Sequence, residues 1–230
     1  MKNKSILLNG SFFQDEYKRK IEQLNELDIK TVYVFDHNVN PEKKDLSVYE
    51  LIEAISYLNS NGRNFDIGTM VLNIRKRQRP ILFNKYILPF LEIPNFNLGI
   101  GIGDQKYEKQ DVLYQNNIEQ VIKEIINDSR YFKNNINLII GGSSNTLRNL
   151  SLKYSLGINQ WQGSIDKLVD KVKIFENTNK KNLRVSYCTK DLKFTEKDVD
   201  ISLDFEIIYV LSESKSFDKQ IDEIQKHCLN

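Results

Sequence analysis

INLIIGGSSNTLRNLSLKYSLGINQW, residues 136–161, holds one full repeat of the fold. An apolar, β-branched run ends in Gly141 and Gly142. Ser143 and Ser144 follow, then an amphipathic stretch, then a second short run, GINQW. The first run is too short for a helix and has the composition of a buried strand; the middle has helical periodicity. The same cycle recurs along the chain. Apolar runs occur as SILLNG, TVYVFD, FDIGTMVL, FNLGIGIG, INLIIGG, GINQW, LRVSYC and FEIIYVL. Between them, apolar residues fall at helical spacings, as in Ile21, Leu24 and Leu27, or Ile118, Val121, Ile122 and Ile125.

Continuous apolar strands alternating with amphipathic helices predict a parallel sheet covered by helices. Eight such units predict a closed (β/α)8 TIM barrel, compact, with short loops, as a single domain over residues 1–230. The rival is an open doubly wound sheet. Its G-x-G-x-x-G turn is missing, since the first strand runs into NGSFFQDE.

Composition narrows the function. The 230 residues carry 33 basic and 31 acidic side chains, a net charge of +2, with 40% apolar and 28% charged residues. A sizeable core is expected, and neither a nucleic-acid footprint nor a membrane surface. No stretch approaches a membrane span, the N-terminus lacks a cleavable leader pattern, and the two cysteines have no metal-ligand spacing. A cytoplasmic setting is the expectation. With one interior histidine, no metal site is expected.

In such a barrel the ligand sits where the strands end. After the second strand, TVYV, come Phe35, Asp36 and His37. Neighbours along a strand diverge, so an acid–base dyad of Asp36 with His37 does not follow from adjacency. The turn Gly141–Gly142–Ser143–Ser144 opens a helix, where unpaired N–H groups suit a phosphate; plain N-capping by Ser144 or Asn145 is the other reading. Gly99, Gly101 and Gly103 alternate, and Gly68 and Thr69 lie in a strand interior. That suits approach by a flat ring or by a neighbouring backbone. The basic run of Arg75, Lys76, Arg77 and Arg79 reads as a solvated loop, or as a contact for a polyanionic ligand tail or nucleic acid, with Pro80 opening the next helix.

Taken in order, these motifs resemble the bacterial-luciferase-like superfamily of FMN- and coenzyme F420-dependent oxidoreductases. The D-H turn after strand two, DIGTMVLNIRKRQRPILFNKY and INLIIGGSSNTLRNLSLKYSLGINQW carry the resemblance. It covers most of residues 5–175. It implies a cofactor at the strand ends, with Asp36 and His37 near the ring and Gly68, Thr69 and Asn73 along the ring or its ribityl chain. Gly141, Gly142, Ser143 and Ser144 would hold the phosphate, with Trp161 and Gln162 closing the site. The stretch GIGIGDQKYEKQDVL is similar to one in archaeal methylene-tetrahydromethanopterin reductases, which favours F420 over FMN and places Gly101 and Gly103 by the cofactor. The implied activity is hydride transfer between F420 and a small substrate, with His37 or Asp36 handling a proton. An FMN monooxygenase or a non-catalytic cofactor binder are the alternatives. A homodimer through helices near strands two and three is implied as well. The chain departs from the pattern in lacking the long lid insertion after strand seven.

Overall fold

The computed structural model describes residues 4–103, 108, 114–142, 144–176, 184–195, 197 and 205–228. Eight parallel strands close into a barrel in chain order. They are β1 (Lys4–Leu7), β2 (Thr31–Val34), β3 (Asp66–Asn73), β4 (Asn97–Gly101), β5 (Asn137–Gly141), β6 (Gly157–Trp161), β7 (Val185–Thr189) and β8 (Phe205–Val210). Closure is made by β8 on β1, where Lys4 pairs with Ile207 and Leu7 with Val210. Each apolar run of the sequence supplies one strand. The architecture is the expected TIM barrel.

Helices cover the outside: α1 (Tyr17–Asn25), α2 (Leu51–Asn61), α5 (Ile118–Asn127), α6 (Ser129–Lys133), α7 (Asn145–Tyr154), α8 (Ile165–Glu176) and α9 (Phe217–Cys228). Between β3 and β4, short α3 (Arg79–Ile81) and α4 (Leu88–Leu91) flank a π-helical stretch, Leu82–Ile87. Helices α6 and α9 are additions to the elements expected from the sequence. Ile221 and Ile224 of α9 are buried, and Phe217 meets Phe12 edge-on at 5.5 Å.

The period-two alternation of the strands separates two cores. Val32 and Val34 of β2, Leu138 and Ile140 of β5, and Ile207 and Tyr209 of β8 face the helices. The residues between them, Tyr33, Ile139 and Ile208, point into the barrel with Leu7, Phe35, Met70, Cys188 and Val210. Burying each such large side chain contributes roughly 1.5–3 kcal/mol.

Beneath this interior lies a polar floor. Arg184 forms an ion pair of 2.6 Å with Glu206, and Glu206 also accepts from Tyr33 Oη at 3.2 Å and from Ser5. Burial, followed by the nearby Glu206 charge, pushes the Tyr33 phenol well above its ordinary pKa. Such a floor at the strand N-termini serves the scaffold, because barrel chemistry belongs to the other end.

Candidate active site

At the strand C-termini, Asp36 is buried and fully engaged. Arg77 donates to both carboxylate oxygens, at 2.7 and 2.8 Å, Lys76 donates at 2.9 Å, and the Asn73 backbone N–H donates at 3.0 Å. Arg77 is stacked on the Tyr86 ring, 3.9 Å from its centroid. Burial works against the Arg77 charge, but the Asp36 hydrogen bonds and charge overcome it and raise the guanidinium pKa. The basic run is therefore no solvated loop. It ties the loop after β3 to the loop after β2, and Asp36 is the tie point, with its lone pairs spent.

The acid beside His37 is Glu108. Its Oε1 lies 3.4 Å from His37 Nδ1 and accepts from Asn73 Nδ2 at 3.1 Å. The Glu108 side chain is fully buried, and its second oxygen, Oε2, has no hydrogen-bond partner among the described residues. Glu108 is hidden in the sequence because it sits in a stretch without apolar periodicity. A carboxylate five residues past Gly103, in the loop after β4, was the available signal. His37 also lines a cavity of about 290 Å³ between the loops after β2 and β3, with Phe35, Tyr49, Arg77 and Tyr86.

The first strands and the last are laced together over the mouth. Glu213 accepts from Ser11 N–H at 3.0 Å, Ser11 Oγ at 2.5 Å, Asn9 at 2.5 Å and Asn40 at 2.6 Å. Glu42 accepts from Ser212 Oγ and the Glu213 N–H, and pairs with Lys190. Burial opposes the Glu42 charge, but Lys190 and Ser212 hold its carboxyl below the ordinary range.

The glycines answer to the wall as well as to the mouth. At Gly68 an added Cβ would stand 2.5 Å from Asn97 O and 2.6 Å from the Tyr33 ring. Thr69 is buried and donates to Gly99 O at 2.9 Å. Here β3 shifts register between Thr69 and Leu72, and the Met70–Val71 peptide is cis. Met70 and Val71 both reach the inner core, against strand alternation, as a bulge allows. Val71 then fills the space beside Gly101, where a Cβ would meet Cγ2 at 2.7 Å, and beside Gly141. Neighbouring chain thus accounts for the space at Gly68, Gly99, Gly101 and Gly141. Asn73, read as a ring neighbour, is buried and divides its side chain between Glu108 and the Arg75 N–H.

On the β5 side the described residues just past the strand end are exposed. Gly142 is exposed with φ +121°, a conformation only glycine holds without strain. Ser144 is the N-cap of α7, its Oγ accepting from Leu147 N–H at 3.3 Å. The other leading N–H groups of that helix have no intrahelical acceptor and carry its positive dipole end. Ser143 lies outside the described residues, as do 104–107 and 109–113 of the stretch that favoured F420, and 198–204 of the shortened lid region. Trp161 is 53% exposed at the end of β6, and Gln162 follows with φ +47°. Cys188 is buried in the interior, and burial pushes its thiol up to about 12, so it is no nucleophile.

The barrel matches several solved structures. An F420-dependent secondary alcohol dehydrogenase in complex with an F420–acetone adduct aligns with TM-score 0.62 and 10% identity, over 82% of this chain and 69% of that one. The coenzyme F420-dependent tetrahydromethanopterin reductase from Methanopyrus kandleri aligns at 0.57 and 11%, over 83% and 67%. Monooxygenase RslO1 from Streptomyces bottropensis aligns at 0.59 and 9%, over 100% and 99%. At these identities the likeness shows the fold alone. The neighbours include the F420-dependent and monooxygenase kinds that the sequence resembles. No family model and no curated protein matches the sequence. Among the described residues no helix is long and apolar enough to cross a membrane, and no group of three His, Cys, Asp or Glu is placed to hold a metal ion.

Proposed function

We propose that this chain is an oxidoreductase that binds coenzyme F420 at the barrel mouth and transfers a hydride between it and a small substrate. The observation that carries the reading is the His37–Glu108 pair. A buried carboxylate with one unpartnered oxygen, set against an imidazole where strands end, is the arrangement a proton-handling site needs. Glu108 orients the ring, and His37 holds or delivers the proton at the substrate oxygen. Asp36 acts through Arg77 and Lys76, fixing the loop that presents His37; it is a positioning residue.

The residues fit the cofactor best at its phosphate end. Gly142 and the exposed start of α7 offer backbone N–H groups to an anion, with Ser144 beside them and Ser143 proposed as a further donor. Val71, half-buried at the bulge, would give the ring an apolar wall on this flank, with Gly101 packed behind it and Gly103 against the Asn73 amide. Gly68, Thr69 and Asn73 support that wall from behind, and Trp161 and Gln162 border it. When bound, F420 supplies a ring that gives and takes a hydride without activating oxygen, as reduced FMN does. FMN with monooxygenase chemistry is the second reading, favoured by the likeness to RslO1 over nearly the whole of both chains. A cytosolic setting and a homodimer through the helices beside β2 and β3 belong to the proposal.

Titration of the purified protein with F420 and with FMN, followed by fluorescence, tests it. F420 is expected to saturate at lower concentration. Secondary alcohols form the first substrate panel, read as loss of F420 absorbance. His37→Asn should keep the binding and lose most of the turnover. Binding of neither cofactor would sink the reading; F420 binding without turnover on any panel would leave a cofactor-holding protein.

A further inference from the structure

We propose that a second cavity, on the outer flank of the barrel between the turn after β1 and the first turns of α2, binds a small organic cation of the quaternary-ammonium class. The cavity measures about 350 Å³ and takes its walls from Phe13, Tyr49, Tyr57, Glu50 and Glu53. That volume is within the range of small-ligand sites. It is separate from the cofactor reading: the Val48–Glu50 segment stands between it and the cavity beside His37.

Three features point to a cation. The first is aromatic. Phe13 meets Tyr49 at 5.4 Å and 89°, and Tyr57 at 5.8 Å and 36°, while Tyr17 stacks on Tyr57 at 4.7 Å. Phe13, Tyr49 and Tyr57 of this cluster line the cavity, and aromatic rings attract a cation without requiring hydrogen-bond donors from it. The second is charge. The walls carry two carboxylates and no Lys, Arg or His. The third is that one carboxylate is uncommitted. Glu50 caps α2, its Oε2 accepting from Ile52 and Glu53 N–H at 2.7 and 3.1 Å. The Glu53 carboxylate is exposed at the rim and makes no ion pair or hydrogen bond among the described residues. With Glu50 already set against the positive end of α2, Glu53 adds net negative potential at the opening. Aromatic faces with a nearby carboxylate and few donors suit an alkylated ammonium better than a strongly hydrated one.

Calorimetric titration with choline tests the site, with 3,3-dimethylbutanol, its uncharged isostere, as the control. Choline is expected to saturate, and the isostere to bind at least about tenfold more weakly. Glu53→Gln, a surface change that leaves the rings in place, should weaken choline about threefold, and Tyr57→Leu about fivefold. Thermal unfolding of each variant checks that the fold is kept, and Glu53→Gln carries the test if Tyr57→Leu is unstable. The proposal is overturned if choline does not saturate at millimolar concentration, if the isostere binds equally, or if the folded variants bind choline like the parent.

Discussion

Over β1, β2, β3 and β8 the barrel mouth is built from charges, and nearly every one is matched. Asp36 receives Arg77, Lys76 and a backbone N–H; Glu213 receives Ser11, Asn9 and Asn40; Glu42 receives Lys190 and Ser212. Over β4, β5 and β6 the strands end instead in Gly101, Gly141 and Gly142, an exposed helix start and an exposed Trp161. The charged half holds its loops in place, and the carboxylates of Asp36 and Glu213 are fully taken up by donors among the described residues. Among the described residues the glycine half exposes Gly142, the start of α7 and Trp161. His37 and Glu108 lie where the two meet, and Glu108 Oε2 is the acid oxygen that the lacing does not use.

The largest expected effect comes from breaking the charged half. Arg77→Met leaves Asp36 buried with Lys76 as its remaining cation, and should cost about 3 kcal/mol in urea unfolding. The double variant Asp36→Leu with Arg77→Met should recover much of that loss, because no unpaired charge stays behind. A loss below about 1 kcal/mol in the single variant would mean that Lys76 alone suffices, and the bidentate pair would lose its place as the main tie.

The fold was legible because a parallel barrel buries both faces of every strand, so each strand shows as an apolar run, and each helix shows one apolar stripe. Helix α9 was missed where that signal is thin: Ile221 and Ile224 stand among charged residues, and the helix is held as much by Phe217 on Phe12 and Arg19 on Asp218. At the site, position after strand two marked Asp36 and His37 correctly as mouth residues, but not their partners. Partners come from neighbouring loops, and sequence order hides them: Arg77 is 41 residues from Asp36, and Glu108 is 71 from His37. The glycines left two readings open for a related reason. Glycine marks a close approach without naming what approaches, and here Val71 and Thr69 of the β3 bulge do so.

A change of intermediate size sharpens the glycine half. Gly141→Ala would drive a methyl into Val71 Cγ1 and should cost about 2 kcal/mol by overpacking. Val71→Ala in the same chain opens that space, so the double variant should be more stable than Gly141→Ala alone. If instead the two losses add, Val71 is not what fills the space at Gly141.

The smallest effect separates the two meanings of Ser144. As the N-cap of α7 it accepts from Leu147 N–H, and Ser144→Ala should lose about 1 kcal/mol of stability. Ser144→Asp keeps a capping oxygen and suits the helix dipole, so stability should hold. The same carboxylate would repel a cofactor phosphate at that turn, and F420 affinity should fall about tenfold, or about 1.4 kcal/mol. Capping alone predicts that only the alanine variant suffers. Phosphate binding predicts that the aspartate variant, stable as the parent, binds poorly. Because stability and affinity move in different variants, one pair of substitutions decides whether the open half of the mouth is merely uncovered or is built to receive an anion.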